Sequence, residues 1–391
     1  MTQPAVPLIV HLVYRLDFGG LENLMVERIN RIHPGAYRHA VVALTQSSDF
    51  AKKITRPDVT VYELHKQPGS SPGTHYKLYK LLRQLRPAVL HSYNLAGVEY
   101  AVAAMLAGVP VRINGAHGRD ASDPDGTNPR HRLLRRMMIP FHDCMYGNSA
   151  DLVKWNREFI GVPANKSRLL GNGIDSDKFH PAAVKGDVHG FGPGCTVIGT
   201  VGRIQDVKNH AGLVDAFIAL RALLPAHADS LRLAIVGDGP LLAALHAKVA
   251  AAGIADLVWL PGARTDIAEI LRSLDIFCMS SLAEGTPGSA LEAMATSLPV
   301  VGTRVGGLPE VIDEGITGML VPPADAPAMA AALARYVEAP DLARQHGAAG
   351  RERILNRYNM PAMVAAYQSM YDSLCDRKTT FRKHAKPCVE S

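Results

Sequence analysis

No stretch of this 391-residue chain approaches the roughly 18 consecutive apolar residues that a membrane-spanning helix needs. The most apolar stretch, residues 100–113, is interrupted by Gly108 and Pro110. The opening MTQPAVPLIVHLVY has neither a basic leader nor a small-residue cleavage site, so a secretory signal is not expected. Cysteine is scarce. The five (Cys144, Cys195, Cys278, Cys375, Cys388) are odd in number and lack C-x-x-C spacing. That argues against a disulfide framework or a structural zinc site and fits a reducing cytosol. There is no P-loop and no H-E-x-x-H, so ordinary ATPase and zinc-protease chemistry have no support. Aromatic residues make up only 6%. That leaves no aromatic-rich platform for stacking bases, and nucleic acid is not an expected partner.

What is present is an ordinary globular composition, 47% apolar and 20% charged, on a chain long enough for two cored domains. The net charge of +6 is uneven: residues 1–180 carry +8, residues 181–375 carry −5 and residues 376–391 carry +3. A basic first half suits a phosphate-bearing partner such as an anionic membrane surface. Short apolar runs (PLIVHLVY, HAVVAL, VTVYEL, AVLHSY, VRINGAH, DCMYGNS) alternate with amphipathic stretches such as LENLMVERINRI, as in repeated βαβ units. Residues 171–194, rich in Gly, Pro and Asp, read as a linker. After them the alternation restarts with CTVIGTVGR, RLAIVGDG, LVWLPG, DIFCMSS, PVVGTRVGG and GMLVPP. The expected domains are 1–172 and 173–357. A last helix over about residues 358–375 packs back on the first domain, and a basic, disordered tail covers 376–391.

In open α/β sheets, ligands sit at the carboxyl ends of the strands. The stretch LAEGTPGSALEAMATSLPVV contains two acids, Glu284 and Glu292, around a Gly-Thr-Pro-Gly turn. Thr286 suits a helix N-cap and Pro287 the first helical position. Leu291, Met294, Ala295 and Leu298 form one apolar stripe that excludes Glu292. GRIQDVKNH places Arg203 and Lys208 at another strand end, a planar fork and a point charge that could clamp a diphosphate. Gly19 and Gly20 in RLDFGGLENL would let a backbone approach a phosphate, although the pattern is not G-x-G-x-x-G. His117 ends a strand in NGAHGRD. NPRHRLLRRMMIP mixes Arg130, Arg132, Arg135 and Arg136 with apolar residues, either as a membrane-surface helix or as a solvated helix with one buried face. The D-x-D pairs at 123–125 and 175–177 read as turn chemistry rather than metal ligands.

Taken in order, GGLEN, the AHG after the fifth strand, NGID, GRIQDVKN, VGDGP, LPGARTDI and EGTPGSALEAMATSLPVVGTRVGGLPEVIDEGITGMLVPPAD resemble the family 4 retaining glycosyltransferases. The resemblance runs end to end, and Glu284 and Glu292 match that family's E-x7-E. VYRLDFGGLENLMVERIN, YRHAVVALT and HGRD are further similar to sugar transferases of exosortase-linked exopolysaccharide systems. The resemblance implies the GT-B fold, two Rossmann-like α/β domains facing each other across a cleft. It also implies transfer from a nucleoside-diphosphate sugar, UDP- or GDP-linked, to a saccharide or lipid-linked acceptor. No metal or other cofactor is implied. The setting would be cytoplasmic, at most peripheral to the inner membrane face.

By the same resemblance, Arg203 and Lys208 would bind the diphosphate and Glu292 the ribose. Glu284 would contact the donor sugar, with Gly285, Thr286 and Pro287 beside it. His117 would reach the sugar, Gly19 and Gly20 would approach the diphosphate, and the loop from Arg264 to Ile267 would frame the base. The chain departs from the common pattern at Thr286 and at Pro287-Gly288-Ser289, which leaves the identity of the sugar open. A nucleotide-sugar epimerase, a glycosyl phosphorylase and a non-catalytic nucleotide-sugar-binding module are the competing readings.

Overall fold

The computed structural model describes residues 6–384 except Ser70, Ala121 and Pro124, with side chains as far as Lys378. Cys388 and the end of the expected tail lie outside the described residues, as does the centre of the 123–125 pair. The chain divides into two compact units. One comprises the residues up to Gly171 together with those from Pro361 onward, and the other runs from Asn172 to Met360.

The first unit is built on seven parallel strands: β1 (Leu8–Val13), β2 (Arg38–Ala43), β3 (Thr60–Glu63), β4 (Val89–Tyr93), β5 (Val111–Ala116), β6 (Cys144–Gly147) and β7 (Ser167–Leu169). Their order is β3-β2-β1-β4-β5-β6-β7, so the winding reverses between β1 and β4. The central strands β1, β2 and β4 are mostly apolar, as expected for a parallel sheet covered on both faces. Each of them also carries a buried histidine. His11 of β1 lies opposite His91 of β4 in register, and both are buried, as is His39 of β2.

The second unit has six parallel strands: β8 (Thr196–Val201), β9 (Leu231–Val236), β10 (Val258–Trp259), β11 (Ile276–Met279), β12 (Val300–Thr303) and β13 (Gly318–Val321). They are ordered β10-β9-β8-β11-β12-β13, reversing between β8 and β11. One face packs Leu213, Phe217, Leu220 and Leu333, and the other packs Leu271, Phe277, Leu291 and Met294.

Two sequence expectations change. The stretch expected to be a linker is partly core, because Ile174 and Phe179 are buried in the second unit. The Ile174 N–H donates to the Tyr358 carbonyl at 2.7 Å. The last helix, Met360–His384, also runs past residue 376, where the tail was expected to begin. From Pro361 it belongs to the first unit, where the Tyr37 hydroxyl donates to Asp372 at 2.6 Å.

Helix Pro340–Arg357 approaches the segment after helix Gly288–Ala295 so closely that a side chain at Gly347 would overlap the Ser297 carbonyl oxygen. One turn on, a methyl at Gly350 would meet Met294 at an ordinary 3.6 Å. Gly347→Ala is expected to cost about 1–3 kcal/mol. Gly350→Ala should be neutral or stabilising by up to about 1 kcal/mol. Thermal melts of the two variants check the contrast.

Candidate functional site

The two strands that flank the reversal in the second sheet, β8 and β11, each release a loop at their carboxyl ends, where a doubly wound sheet binds ligands. The loop after β8 carries Arg203 and Lys208. Buried Ile204 anchors it, and its N–H donates to the Asp238 carbonyl at 2.9 Å. The two glycines of VGDGP are needed here, because a Cβ at Gly237 or Gly239 would overlap the carbonyl oxygens of Gly202 and Ile204. Arg203 is exposed, and its guanidinium bonds to no described residue. Asn209 then adopts the left-handed conformation, φ 50°, and its side chain caps helix His210–Leu223.

The loop after β11 carries Glu284, and the two loops are tied together. Lys208 Nζ pairs with Glu284 Oε1 at 2.5 Å, and Ser281 Oγ donates to the same oxygen at 2.6 Å. Ser280 Oγ donates to the carbonyls of Lys208 and Asn209, both at 2.9 Å. The Leu282 N–H donates to the Val207 carbonyl at 2.7 Å. The Glu284 side chain is only 9% exposed, so its charge is largely removed from water and needs this cation. Behind it, Gly306 at φ +51° lies against the Glu284 carbonyl, where a Cβ would overlap.

Gly285, Thr286 and Pro287 are buried and lead into helix Gly288–Ala295. The helix begins one residue later than expected. Pro287 occupies the cap position, and no side chain caps the helix. The first-turn N–H groups are therefore not satisfied by a side-chain cap, the arrangement that favours an anion there. The apolar stripe is buried as expected, and Glu292 lies half-buried off it. Asn172 received no role in the sequence reading. It is buried and donates from Nδ2 to the Thr286 carbonyl at 2.9 Å. Its motif, NGID, was visible, but the contact joins residues 114 positions apart. Arg264, after β10, forms a two-pronged pair with Asp266 at 2.8 and 2.6 Å.

The remaining candidates lie at the carboxyl edge of the first sheet. Gly20 opens helix Gly20–Arg31, and space around it is open. A side chain at Gly19 would instead overlap the Glu22 carboxylate. His117 follows β5. Its N–H donates to Asn94 Oδ1 at 2.9 Å, and its Nε2 pairs with the Tyr146 hydroxyl at 2.9 Å. Its Nδ1 is buried without a hydrogen-bond partner among the described residues.

Behind His117 runs a buried polar network. Tyr146 Oη also meets His91 Nε2 at 3.0 Å, and His91 Nδ1 meets Tyr371 Oη at 2.8 Å. His11 joins His39 at 3.0 Å and Tyr93 at 2.9 Å. The Arg28 guanidinium, fully buried, donates to Tyr93 Oη at 2.8 Å and lies 3.9 Å over the Tyr367 ring. Burial, and then this cation, bring the His117 pKa down to about 3. Burial also lowers His11 and His91 well below the usual imidazole value and brings His39 down to about 3.

The basic segment forms helix Pro129–Met138, capped by Asn128. Arg135 is not part of its solvated face. It is buried 5.2 Å from the Trp155 ring, and burial brings its pKa down to about 10. Leu133, Met137 and nearby Phe159 are exposed, and Arg132 and Arg136 both donate to the Phe159 carbonyl. The first aspartate of each D-x-D pair does turn work. Asp123 accepts from the N–H groups of Thr127 and Asn128, and Asp175 accepts from those of Asp177 and Lys178. Among the described residues, no three His, Cys, Asp or Glu side chains gather as a metal site.

Known proteins share this arrangement of the chain. The family model described as Glycosyltransferase Family 4 matches residues 18–178, and that described as Glycosyl transferases group 1 matches residues 195–339. The chain is 26% identical to N-acetyl-alpha-D-glucosaminyl L-malate synthase of Bacillus anthracis, over 90% of this chain and 88% of that protein. It is 31% identical to the lipopolysaccharide core biosynthesis mannosyltransferase LpcC of Rhizobium leguminosarum bv. viciae, over 63% of this chain and 68% of that protein. Its fold matches the crystal structure of Anabaena Alr3699/HepE in complex with UDP-glucose. The TM-score is 0.80 at 18% identity, covering 94% of this chain and 100% of that one.

The buried histidines set an acid sensitivity. Their native pKa values lie below the roughly 6.5 of an unfolded imidazole, so below that pH the unfolded chain takes up protons that the native chain excludes. The stabilisation is complete above about pH 6.5 and is lost as pH falls toward the lowered values, at up to about 1.4 kcal/mol per pH unit for each imidazole. Melting temperatures should therefore change little between about pH 7.5 and about pH 6.5 and fall progressively from there to about pH 5.5. In His39→Gln the slope should be shallower.

Proposed function

This chain belongs to the family 4, group 1 glycosyltransferases with the GT-B fold, and from that premise we propose a specific reaction for it. It moves a hexose from a UDP- or GDP-sugar to a saccharide or lipid-linked saccharide during polysaccharide synthesis, with retention of anomeric configuration and no resident cofactor. The observation that carries this reading is the Lys208–Glu284 pair, set at the reversal of the second sheet beside an uncapped helix start. The UDP-glucose bound by HepE and the lipopolysaccharide core on which the Rhizobium relative acts support the choice of donor and acceptor classes.

The chemistry follows from charge. When the bond between the sugar and the diphosphate breaks, negative charge grows on the departing phosphate. Arg203, exposed and unpaired, supplies a fork for that phosphate, and Lys208 supplies a point charge. The helix start at Gly288 adds N–H donors. The acceptor oxygen forms the new bond to the anomeric carbon on the face that the phosphate leaves, and its proton passes to the leaving phosphate oxygen. Glu284, whose Oε1 is already held by Lys208 and Ser281, orients the sugar and does not form a bond to it. Glu292 takes the ribose hydroxyls, the Gly285–Pro287 backbone lies along the sugar, and the loop at Arg264 borders the base. In the first unit, Gly20 leaves room for phosphate, and His117 meets a substrate hydroxyl.

Helix Pro129–Met138 provides the membrane contact in this proposal. Leu133, Met137 and Phe159 form an apolar tip, with Arg130 and Arg136 exposed around it. An apolar tip within a cationic rim is the composition that binds an anionic interface.

Nucleoside diphosphate release, with a panel of UDP- and GDP-sugars and a lipid-linked saccharide, tests the reaction. Arg203→Ala and Lys208→Ala should each lower kcat by about 10²–10³. Undiminished turnover in both, or a trapped glycosyl adduct on Glu284, would overturn the mechanism. Cosedimentation with vesicles tests the surface. The double variant Arg130→Ala, Arg136→Ala should weaken binding to anionic vesicles by about 2 kcal/mol. Equal binding of the native chain to neutral and anionic vesicles would count against the surface.

A further inference from the structure

The polar network behind His117 is not used by the reaction as proposed, yet it ends on that histidine. Among the described residues, His117 makes a single side-chain hydrogen bond, to the Tyr146 hydroxyl at 2.9 Å. Tyr146 is fully buried, and its hydroxyl is held from the other side by His91 Nε2 at 3.0 Å. Its room is provided by the chain itself. On β5, two residues before His117, a side chain at Gly115 would overlap the Tyr146 hydroxyl. The His117 backbone is fixed by Asn94, which holds the left-handed conformation at φ 54° and accepts the His117 N–H. His91 is fixed in turn by Tyr371 of the last helix, at 2.8 Å.

We propose that Tyr146 is a positioning residue for His117: its hydroxyl, clamped between two imidazoles, sets the ring orientation and the tautomer with which His117 meets the substrate. A neutral imidazole has one N–H and one lone pair, so the bond made at one nitrogen decides the character of the other. The hydroxyl at Nε2 therefore decides whether Nδ1, which has no hydrogen-bond partner among the described residues, carries a proton or a lone pair. The chain Tyr371–His91–Tyr146–His117 passes that choice from the last helix to the carboxyl edge of the sheet. Tyr93, in T-shaped contact with His117 at 5.7 Å, and Arg28 behind it are the other polar groups facing the ring. Neither supplies a second hydrogen bond to it.

This inference rests on the reading that His117 meets the substrate, and the experiment separates the two. Turnover is measured for His117→Ala, Tyr146→Phe and a control, Tyr336→Phe. The control removes a buried hydroxyl bonded to His346 in the other unit, at 2.8 Å. His117→Ala and Tyr146→Phe should both lose kcat, the second by about tenfold, with the donor KM little changed in Tyr146→Phe, and the control should keep its activity. Histidine side-chain nitrogen spectra of the native protein supply a readout that needs no variant. His117 should appear as one neutral tautomer, without titration from about pH 5.5 to about pH 8. In Tyr146→Phe the His117 nitrogen shifts should move toward tautomer averaging. Full activity in His117→Ala overturns the substrate reading and this inference with it. Loss of activity in His117→Ala with full activity in Tyr146→Phe overturns the positioning role alone. So does a native His117 spectrum that already shows averaged tautomers.

Discussion

The ion pair between Lys208 and Glu284 is the constraint on which the second unit's active edge depends. It joins the loops after β8 and β11, the two strands between which the winding reverses. A carboxylate that is nine-tenths buried is costly unless paired, so Glu284 fixes Lys208 as much as Lys208 fixes Glu284. The surrounding bonds run in the same direction. Ser281 bonds the same carboxylate oxygen, Ser280 bonds two carbonyls of the facing loop, and glycines at 237, 239 and 306 let the backbones close. Lys208 is balanced by Glu284, whereas Arg203 pairs with no described residue. In the proposed reaction, the diphosphate meets one free fork and one shared point charge.

The first unit has the same winding but a different interior. Where the second sheet is packed by aliphatic and aromatic side chains, the centre of the first holds His11, His39, His91, Tyr93, Tyr146 and Arg28. Apolar packing is tolerant of small rotations, whereas hydrogen bonds are directional. Hydrogen bonds of this polar centre connect β1, β4, β6 and the last helix to His117, after β5. The cost is an interior that must keep its imidazoles neutral next to a buried guanidinium, which ties stability to pH. Arg28 is held without a carboxylate, by the Tyr93 hydroxyl and the face of Tyr367.

Fold and chemistry separate clearly in this molecule. The match to HepE at 18% identity concerns the path of the backbone. Substrate choice is carried by a few loop residues on that path. Similar chains carry names as different as an N-acetyl-alpha-D-glucosaminyl L-malate synthase and a lipopolysaccharide core biosynthesis mannosyltransferase. The segment from Thr286 to Ser289, where the chain departs from the common pattern, lies at the helix start beside Glu284.

Much of this was legible in the sequence. Parallel strands covered on both faces must be apolar, so the alternation of apolar runs and amphipathic stretches revealed two α/β units. The spacing of Leu291, Met294, Ala295 and Leu298 fixed which face of their helix is buried, and so left Glu292 outside it. Local signals failed where a distant partner decides. Thr286 looks like a cap, but its carbonyl is bound by Asn172 and the helix starts after Pro287. Arg135 reads as one more surface cation, until Trp155 closes over it. Ile174 and Phe179 look like linker because their neighbours are Gly, Pro and Asp, and only the core that receives them makes them structural. The network behind His117 joins positions from 11 to 371, and no periodicity connects residues so far apart. The sequence by itself determined the two sheets and the residue types at their edges, because burial imposes a repeating pattern on neighbouring positions. Only the tertiary structure decided which of those residues hold one another, because a hydrogen bond or an ion pair depends on distance in space.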